Sequence, residues 1–219
     1  MQIVVDKKVL MSYYKPNVRF CGVAMATKGD ITREKILEAA RSLFNTKGFG
    51  ATSINDLVDA SGLQKGSIYF HFPGKDAIGL TVLEEARSSF MDFLADSLTG
   101  DSPGLCLENF FRDVMEKHLA TGFVGGCIFG NTALEMGDND KRYAEIIDQV
   151  FDQWIGKIEK IVVAAQEKGE LRDDISGNAL ARNIVAVIEG GIMMSRVKKD
   201  EVPLRECLEV LRKTLSLKR

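Results

Sequence analysis

Apolar residues recur along this chain mainly at three- and four-residue spacing, which is typical of amphipathic helices rather than of strands. The first clear stripe is a set of five apolar residues, Ile36, Leu37, Ala40, Leu43 and Phe44. It predicts a helix over Arg33–Lys47, with Thr32 as its N-terminal cap. Gly48 follows the last turn, where a left-handed backbone commonly ends a helix, and Phe49 can fold back on the stripe.

Two short helices are predicted next, at Ser53–Ala60 and Gln64–Phe70. Gly62 lies between them and suits the tight turn that joins two helices at a steep angle. The second of these helices is too short to be stable alone, so Ile68 and Phe72 are expected to pack it onto its neighbours.

Longer apolar patterns fill the rest of the chain. They predict six further helices, at Ala77–Leu98, Leu105–Thr121, Ile128–Met136, Lys141–Lys168, Ala179–Val197 and Leu204–Leu217. With no alternating pattern to indicate strands, the expected fold is all-α with about nine helices.

Composition narrows the class of protein. The chain has 219 residues, 45% of them hydrophobic, and no apolar run approaches the roughly 20 residues that a membrane span needs. The four cysteines and two histidines are scattered, so neither a disulfide framework nor a zinc site is indicated. We expect a soluble cytoplasmic protein with reduced thiols, no cofactor, no metal and no membrane partner.

The charge is distributed unevenly along the chain. Residues 1–75 hold 11 Lys and Arg against 6 Asp and Glu, whereas residues 76–219 hold 18 against 25. A basic front on an acidic body is the asymmetry expected when only the front meets phosphate. The helix pattern and this asymmetry together predict a basic helical domain at residues 28–75 and a second, acidic helical domain at residues 76–219. Residues 1–27 form an extension that does not resemble a signal peptide, and Met25 is a plausible true start.

The segment from Lys65 to Asp76 carries a family signature. The run Lys-Gly-Ser-Ile-Tyr-Phe-His-Phe at residues 65–72, followed by Lys75 and Asp76, closely resembles the TetR family (TetR/AcrR type) of regulators. This resemblance covers about residues 31–80, and a weaker likeness extends to residues 126–131 and 167–171. It implies an N-terminal helix-turn-helix domain and a C-terminal helical domain for ligand binding and dimerisation.

The signature also makes physical sense as a recognition helix. Gly66 and Ser67 let the backbone approach the sugar-phosphate chain, and Lys65 offers a charge to a phosphate or a guanine. Gln64 either reads adenine or is simply solvated, and Phe70 either meets the duplex or lies inside. The full predicted set of DNA contacts is Thr52, Gln64, Lys65, Gly66, Ser67, Tyr69, Phe70, His71 and Lys75.

A single helix-turn-helix buries little surface, so such proteins bind DNA in pairs. The last two predicted helices carry Gly190, Gly191 and an apolar stripe that favour a homodimer interface, although the same residues also suit an ordinary core. The resemblance thus implies a homodimeric repressor that binds a palindromic double-stranded DNA operator and is released by an unknown small-molecule effector. Activation instead of repression remains open.

The effector would bind in the acidic C-terminal domain. Candidate pocket residues are Phe110, Phe111, Met115, His118, Cys127, Phe129, Trp154, Met193 and Met194, although such a stripe also suits plain core. Cys127 begins a predicted helix, where peptide dipoles favour a thiolate, so it is either an electrophile or oxidant sensor or an inert buried thiol.

Two other classes of protein are disfavoured. The glycines at residues 122–130 match neither phosphate-binding loop motif, and few side chains are available for nucleophilic or metal catalysis, so we do not expect an enzyme. A helical scaffold that binds only protein has no need for the Lys65–Lys75 spacing.

Overall fold

The computed structural model describes residues 27–216, and within that range the chain forms nine α-helices and no strands. The predicted N-terminal extension, apart from Thr27, and the proposed start at Met25 lie outside the described residues. The helices are α1 Lys28–Thr46, α2 Ile54–Ser61, α3 Lys65–His71, α4 Lys75–Ser97, α5 Pro103–Ala120, α6 Ile128–Met136, α7 Lys141–Glu167, α8 Gly177–Lys198 and α9 Val202–Leu215.

The described chain divides into two compact units. We call residues 27–88 with 128–147 the head, and residues 89–127 with 148–216 the body. Helices α4 and α7 contribute residues to both units. This division differs from the predicted domain boundary at Lys75, because α6 and the first turns of α7 group with the head.

Helix α1 begins five residues earlier than predicted. Its cap is Thr27, whose hydroxyl accepts from the Asp30 amide at 3.2 Å while the Asp30 carboxylate accepts from the Thr27 amide at 3.0 Å. The Thr32 hydroxyl instead donates to the Lys28 carbonyl within the helix. The predicted cap at Thr32 is therefore wrong, since a reciprocal capping box lies one turn and a half upstream.

Helices α2 and α3 form the predicted pair. Ser53 and Asp56 build a second capping box at the start of α2. Gly62 ends α2 with φ 69°, a left-handed conformation that glycine adopts without strain. As predicted, Phe49 folds back onto α1, with its ring 5.2 Å from that of Phe44.

The body has its own apolar core, to which α4, α5, α7, α8 and α9 contribute. Helices α8 and α9 pack closely because Gly191 has no side chain: a Cβ there would lie 2.8 Å from Leu204 Cδ1. Gly190 faces the other way, and a Cβ there would meet none of the described residues within 4 Å. The two adjacent glycines thus serve different surfaces of α8.

No helix in the described range has both the length and the apolar character that a membrane span requires. The same residues contain no group of three or more His, Cys, Asp or Glu side chains placed to hold a metal ion.

Candidate nucleic-acid interface

Helix α3 is attached to the head by one face and exposes the other. Ile68 is fully buried and Phe72 is 4% exposed, so these two side chains hold the helix in place, as predicted. On the opposite face Tyr69 is 47% exposed and Phe70 is 85% exposed. Aromatic side chains with this much exposure bury little apolar surface within the fold. Their rings offer a flat apolar surface to a partner.

The N-terminal end of α3 is open to solvent. Gln64 occupies the cap position, is exposed, and makes no side-chain cap bond. Lys65 and Gly66 follow and are also exposed, and a Cβ at Gly66 would meet no described atom within 4 Å. Ser67, one residue on, is partly buried. This end of the helix therefore presents a bare backbone beside a flexible cation, an arrangement that suits close approach to a sugar-phosphate chain.

Thr52 does not present the predicted hydroxyl. It is 1% exposed, and its hydroxyl donates to the Gly48 carbonyl at 2.6 Å. The structure contradicts a contact between this side chain and a phosphate, because the hydroxyl is both buried and already bonded.

The Lys75 side chain is also hydrogen-bonded within the head. Its ammonium donates to the carbonyls of Phe49 at 2.8 Å and Thr52 at 2.9 Å, and it lies 4.4 Å from the centre of the Phe49 ring. A third, longer bond reaches the Gly50 carbonyl. The predicted phosphate contact is not what the structure shows. The side chain fixes the loop between α1 and α2 to the start of α4.

The same loop is held from its other side by Glu135 in α6. The Glu135 carboxylate accepts from the Phe49 and Gly50 amides, at 2.9 Å for Phe49. Asn131 in the same helix donates to the Asn45 side chain at 2.9 Å. These contacts were not predicted, and no local signal could have found them, because the partners lie about 86 residues apart.

Lys28 is a further residue beside the exposed face that was not predicted. A Cβ at Gly29 would lie 3.8 Å from the His71 ring, so the first turn of α1 adjoins the end of α3. Lys28 is exposed there, and His71 is partly exposed. A lysine directly after a Thr cap could have indicated this position. It was missed because the start of α1 was predicted five residues too late.

The predicted effector residues do not lie together in one place. Phe110, Phe111 and Trp154 are at most 2% exposed in the core of the body, and Met115 packs against that core. His118 is buried as well, and burial lowers its pKa to about 4. Cys127 is partly exposed at the end of the α5–α6 connection.

Three predicted wall residues lie elsewhere. Met193 is 55% exposed and Met194 is 42% exposed on the outer surface of α8, which contradicts a role as interior walls. Phe129 is buried, but it belongs to the head and not to the body that holds the other candidates.

Two family models match the chain. Residues 36–80 match the model for bacterial regulatory proteins of the tetR family, and residues 106–211 match a tetracyclin repressor-like C-terminal domain. A structure of a TetR transcriptional regulator from Chloroflexus aurantiacus is 30% identical over 86% of this chain and 96% of that one, with a TM-score of 0.78. The chain belongs to the TetR family of transcriptional regulators. The predicted fold and the resemblance at residues 65–76 are thereby confirmed.

Curated TetR-family relatives cover similar lengths. The HTH-type transcriptional repressor DhaR of Mycobacterium sp. strain GP1 is 29% identical over 82% of this chain and 89% of its own. The HTH-type transcriptional regulator LmrA of Bacillus subtilis is 27% identical over 79% of this chain and 90% of its own. TetR-family regulators are generally DNA-binding repressors, and the exposed face of α3 falls within the residues that match the N-terminal family model.

Proposed function

We propose that this TetR-family regulator is a homodimeric repressor that binds a palindromic operator and is released by a small-molecule effector. The observation that carries the proposal is the exposed face of α3, with its open backbone at Gly66 between Lys65 and the Tyr69 and Phe70 rings. Such a helix end fits the major groove of DNA. A regulator of this kind works in the cytoplasm, where bacterial DNA lies.

The residues proposed to contact DNA follow from exposure. They are the predicted residues of α3 and its cap that the fold leaves accessible, together with Lys28 from the neighbouring turn. The set is Lys28, Gln64, Lys65, Gly66, Ser67, Tyr69, Phe70 and His71, of which Ser67 and His71 are the less exposed pair. Thr52 and Lys75 are left out because their polar groups are bonded inside the head.

Dimerisation is proposed through the outer surface of α8 and α9. Met193, Met194 and Val197 project from α8, Val210 projects from α9, and all four are at least 42% exposed. Gly190 lies about one turn before Met193 and Met194 on α8, where a missing side chain permits close approach of a second helix. A twofold pair of heads would read two copies of one half-site, hence a palindromic operator.

The test is selection of the purified full chain on random duplex DNA, followed by sequencing of the retained molecules. The proposal expects a palindromic consensus, and a variant with Gly66→Asp should lose enrichment because it places a carboxylate against phosphate. A matched control is Gly74→Asp, at another glycine whose Cβ would meet no described atom within 4 Å. Folded wild-type protein that enriches no sequence at low or moderate salt would refute the proposal.

A further inference from the structure

Helix α3 turns one aromatic ring almost wholly to solvent. Ile68 is fully buried, whereas Phe70, two residues later, is 85% exposed. Two residues correspond to about 200° around an α-helix, so the packing that buries Ile68 turns Phe70 outward. Phe72, directly after the helix, is 4% exposed and holds this end of the segment against the head. The fold therefore fixes the direction in which Phe70 points.

The Phe70 ring also has a defined neighbour. Its centre lies 5.2 Å from the centre of the His71 ring, and the two planes are 88° apart. This edge-to-face arrangement is one of the preferred geometries of aromatic pairs. Because a Phe side chain has few rotatable bonds and this one already packs against His71, little conformational entropy is lost when the ring meets a partner.

Phe70 differs chemically from the rest of the proposed DNA-contact set. Gly66 has no side chain, and the other members carry N–H or O–H donors: Lys28, Gln64, Lys65, Ser67, Tyr69 and His71. Phe70 has neither a donor nor an acceptor of conventional hydrogen bonds. It can distinguish bases only by apolar contact and by the polar groups that it separates from water.

The length of α3 keeps Phe70 within reach of base edges. The helix comprises seven residues, Lys65–His71. At 1.5 Å per residue it is about 10 Å long. The major groove of B-DNA is about 12 Å wide and admits an α-helix. A side chain near the C-terminal end of so short a helix can therefore stay inside the groove that the N-terminal end enters.

One base offers an apolar partner in that groove. Thymine presents its C5 methyl group there, whereas guanine and adenine present N7 beside an oxygen or an amino group, and cytosine presents an amino group. A Phe ring placed over these polar groups would remove their water without supplying a hydrogen bond, which is unfavourable. Contact with the thymine methyl instead buries two apolar surfaces against each other.

We propose that Phe70 recognises the C5 methyl group of a thymine in each half-site of the operator and thereby helps to determine sequence specificity. The assignment deepens the proposed function and rests on it, because it requires a sequence-specific operator. Each chain of a dimer contributes one Phe70, so the same thymine occurs once in each half-site. Apolar reading by Phe70 then complements hydrogen bonding by the polar residues of α3.

The test uses the full chain and the operator obtained by selection on random duplex DNA. Each thymine of the half-site is replaced in turn by deoxyuridine, in both half-sites together, which removes only the methyl group and keeps base pairing. Fluorescence anisotropy at a fixed salt concentration gives the dissociation constants. We expect one position at which the dissociation constant rises by about tenfold, because each half-site loses roughly three- to fourfold in affinity with one buried methyl group.

Two variants show whether Phe70 makes this contact. In Phe70→Ala the ratio of uracil to thymine dissociation constants at that position should fall to about 1, because the ring that meets the methyl group is gone. Leu134→Ala is the matched control, since Leu134 is 86% exposed on α6 in the same unit, and it should keep the wild-type ratio. Circular dichroism verifies that both variants are folded.

The outcomes distinguish this inference from the proposed function. If every thymine tolerates uracil, or if the methyl effect persists in Phe70→Ala, thymine reading by Phe70 is wrong and the repressor proposal still stands. A methyl effect that Tyr69→Ala abolishes and Phe70→Ala preserves would assign the contact to the neighbouring ring and also contradict the inference. Selection that yields no consensus would refute both proposals.

Discussion

Lys75 shows how the direction of one side chain decides its role. Its ammonium faces the carbonyls of Phe49 and Thr52 and lies over the Phe49 ring. These bonds supply acceptors to an ammonium that burial would otherwise penalise, and they close the loop between α1 and α2. Lys65, by contrast, is exposed on α3 and keeps its charge available to a partner.

Replacing Lys75 should therefore affect stability more than DNA binding. Lys75→Met keeps an unbranched side chain but removes the ammonium and its hydrogen bonds, so we expect the free energy of unfolding to fall by about 1–3 kcal/mol. Chemical denaturation monitored by circular dichroism measures this. Lys141→Met is the control, since Lys141 forms only an exposed pair with Glu145 and should change little. If the Lys75→Met variant keeps its stability but its DNA binding depends less on salt, Lys75 contacts a phosphate as first predicted.

Gln64 and Lys65 should respond differently to alanine. Lys65→Ala should weaken binding to all sequences and lower the slope of log K against log salt by about 1, the change expected when one phosphate loses its cationic partner. Gln64→Ala should change preference at one base position by about 1–3 kcal/mol. Binding titrations at several salt concentrations on single-base operator variants distinguish the two, and uniform weakening in both would exclude base reading by Gln64.

His118 should make folding sensitive to acid. Burial, with a smaller contribution from Lys117, lowers its folded pKa from 6.5 to about 4. The unfolded chain then binds the extra proton between these values, so stability is full above pH 6.5 and falls as pH drops toward 4. The decrease is on the order of 3 kcal/mol.

Urea unfolding from pH 7 to pH 4.5 measures this effect. His118→Gln should flatten the decline over that range, whereas His71→Gln leaves the buried imidazole in place and should not. An unchanged pH profile in His118→Gln would show that other groups carry the acid sensitivity.

At the scale of elements, the loop at residues 48–52 is held from two directions. Glu135 of α6 binds its amides, and Lys75 at the start of α4 binds its carbonyls. The Gly48 backbone, with φ 96°, allows the turn that brings these groups into position. Helix α6 begins directly after Cys127, and Glu135 and Asn131 both join it by hydrogen bonds to the rest of the head.

Glu135→Gln tests that contact. An amide offers one carbonyl oxygen and turns N–H donors toward a backbone N–H, so one loop amide is left without its acceptor. We expect the free energy of unfolding to fall by about 1–3 kcal/mol. Glu145→Gln is the matched control on an exposed carboxylate that faces Lys141. Equal stability of the two variants would mean that the loop holds α6 weakly.

At the scale of the whole molecule, the exposed apolar residues of α8 and α9 are not explained by the fold of one chain. Val197 is 81% exposed, so it contributes almost nothing to the core of its own body. Val197→Asp should leave the chain folded and shift it from dimer to monomer, because the substitution would bury an unpaired carboxylate at the proposed interface.

Size-exclusion chromatography with light scattering reports that shift directly. Leu134→Asp is the control, because Leu134 is 86% exposed on α6 in the head and the substitution makes the same change in charge. A Val197→Asp protein that remains dimeric would place the interface elsewhere. Dissociation to the same extent in both variants would mean that the effect is not specific to α8.

The sequence by itself determined the all-α class, all nine described helices and the recognition helix. Helical periodicity, capping residues and the run at residues 65–72 are local signals, because each depends on neighbours within a few residues. The start of α1 was misplaced because Thr27 and Thr32 are both suitable caps, and only the reciprocal bonds with Asp30 distinguish them.

Only the tertiary structure decided which polar groups remain available. Thr52 and Lys75 have side chains that could bind phosphate, but in the folded chain both are hydrogen-bonded to backbone carbonyls. Glu135 has no local feature that separates it from surface acids, and it acquires its role from loop amides about 86 residues away in the chain. Contacts at that separation follow from how helices pack, which hydrophobic periodicity alone does not specify.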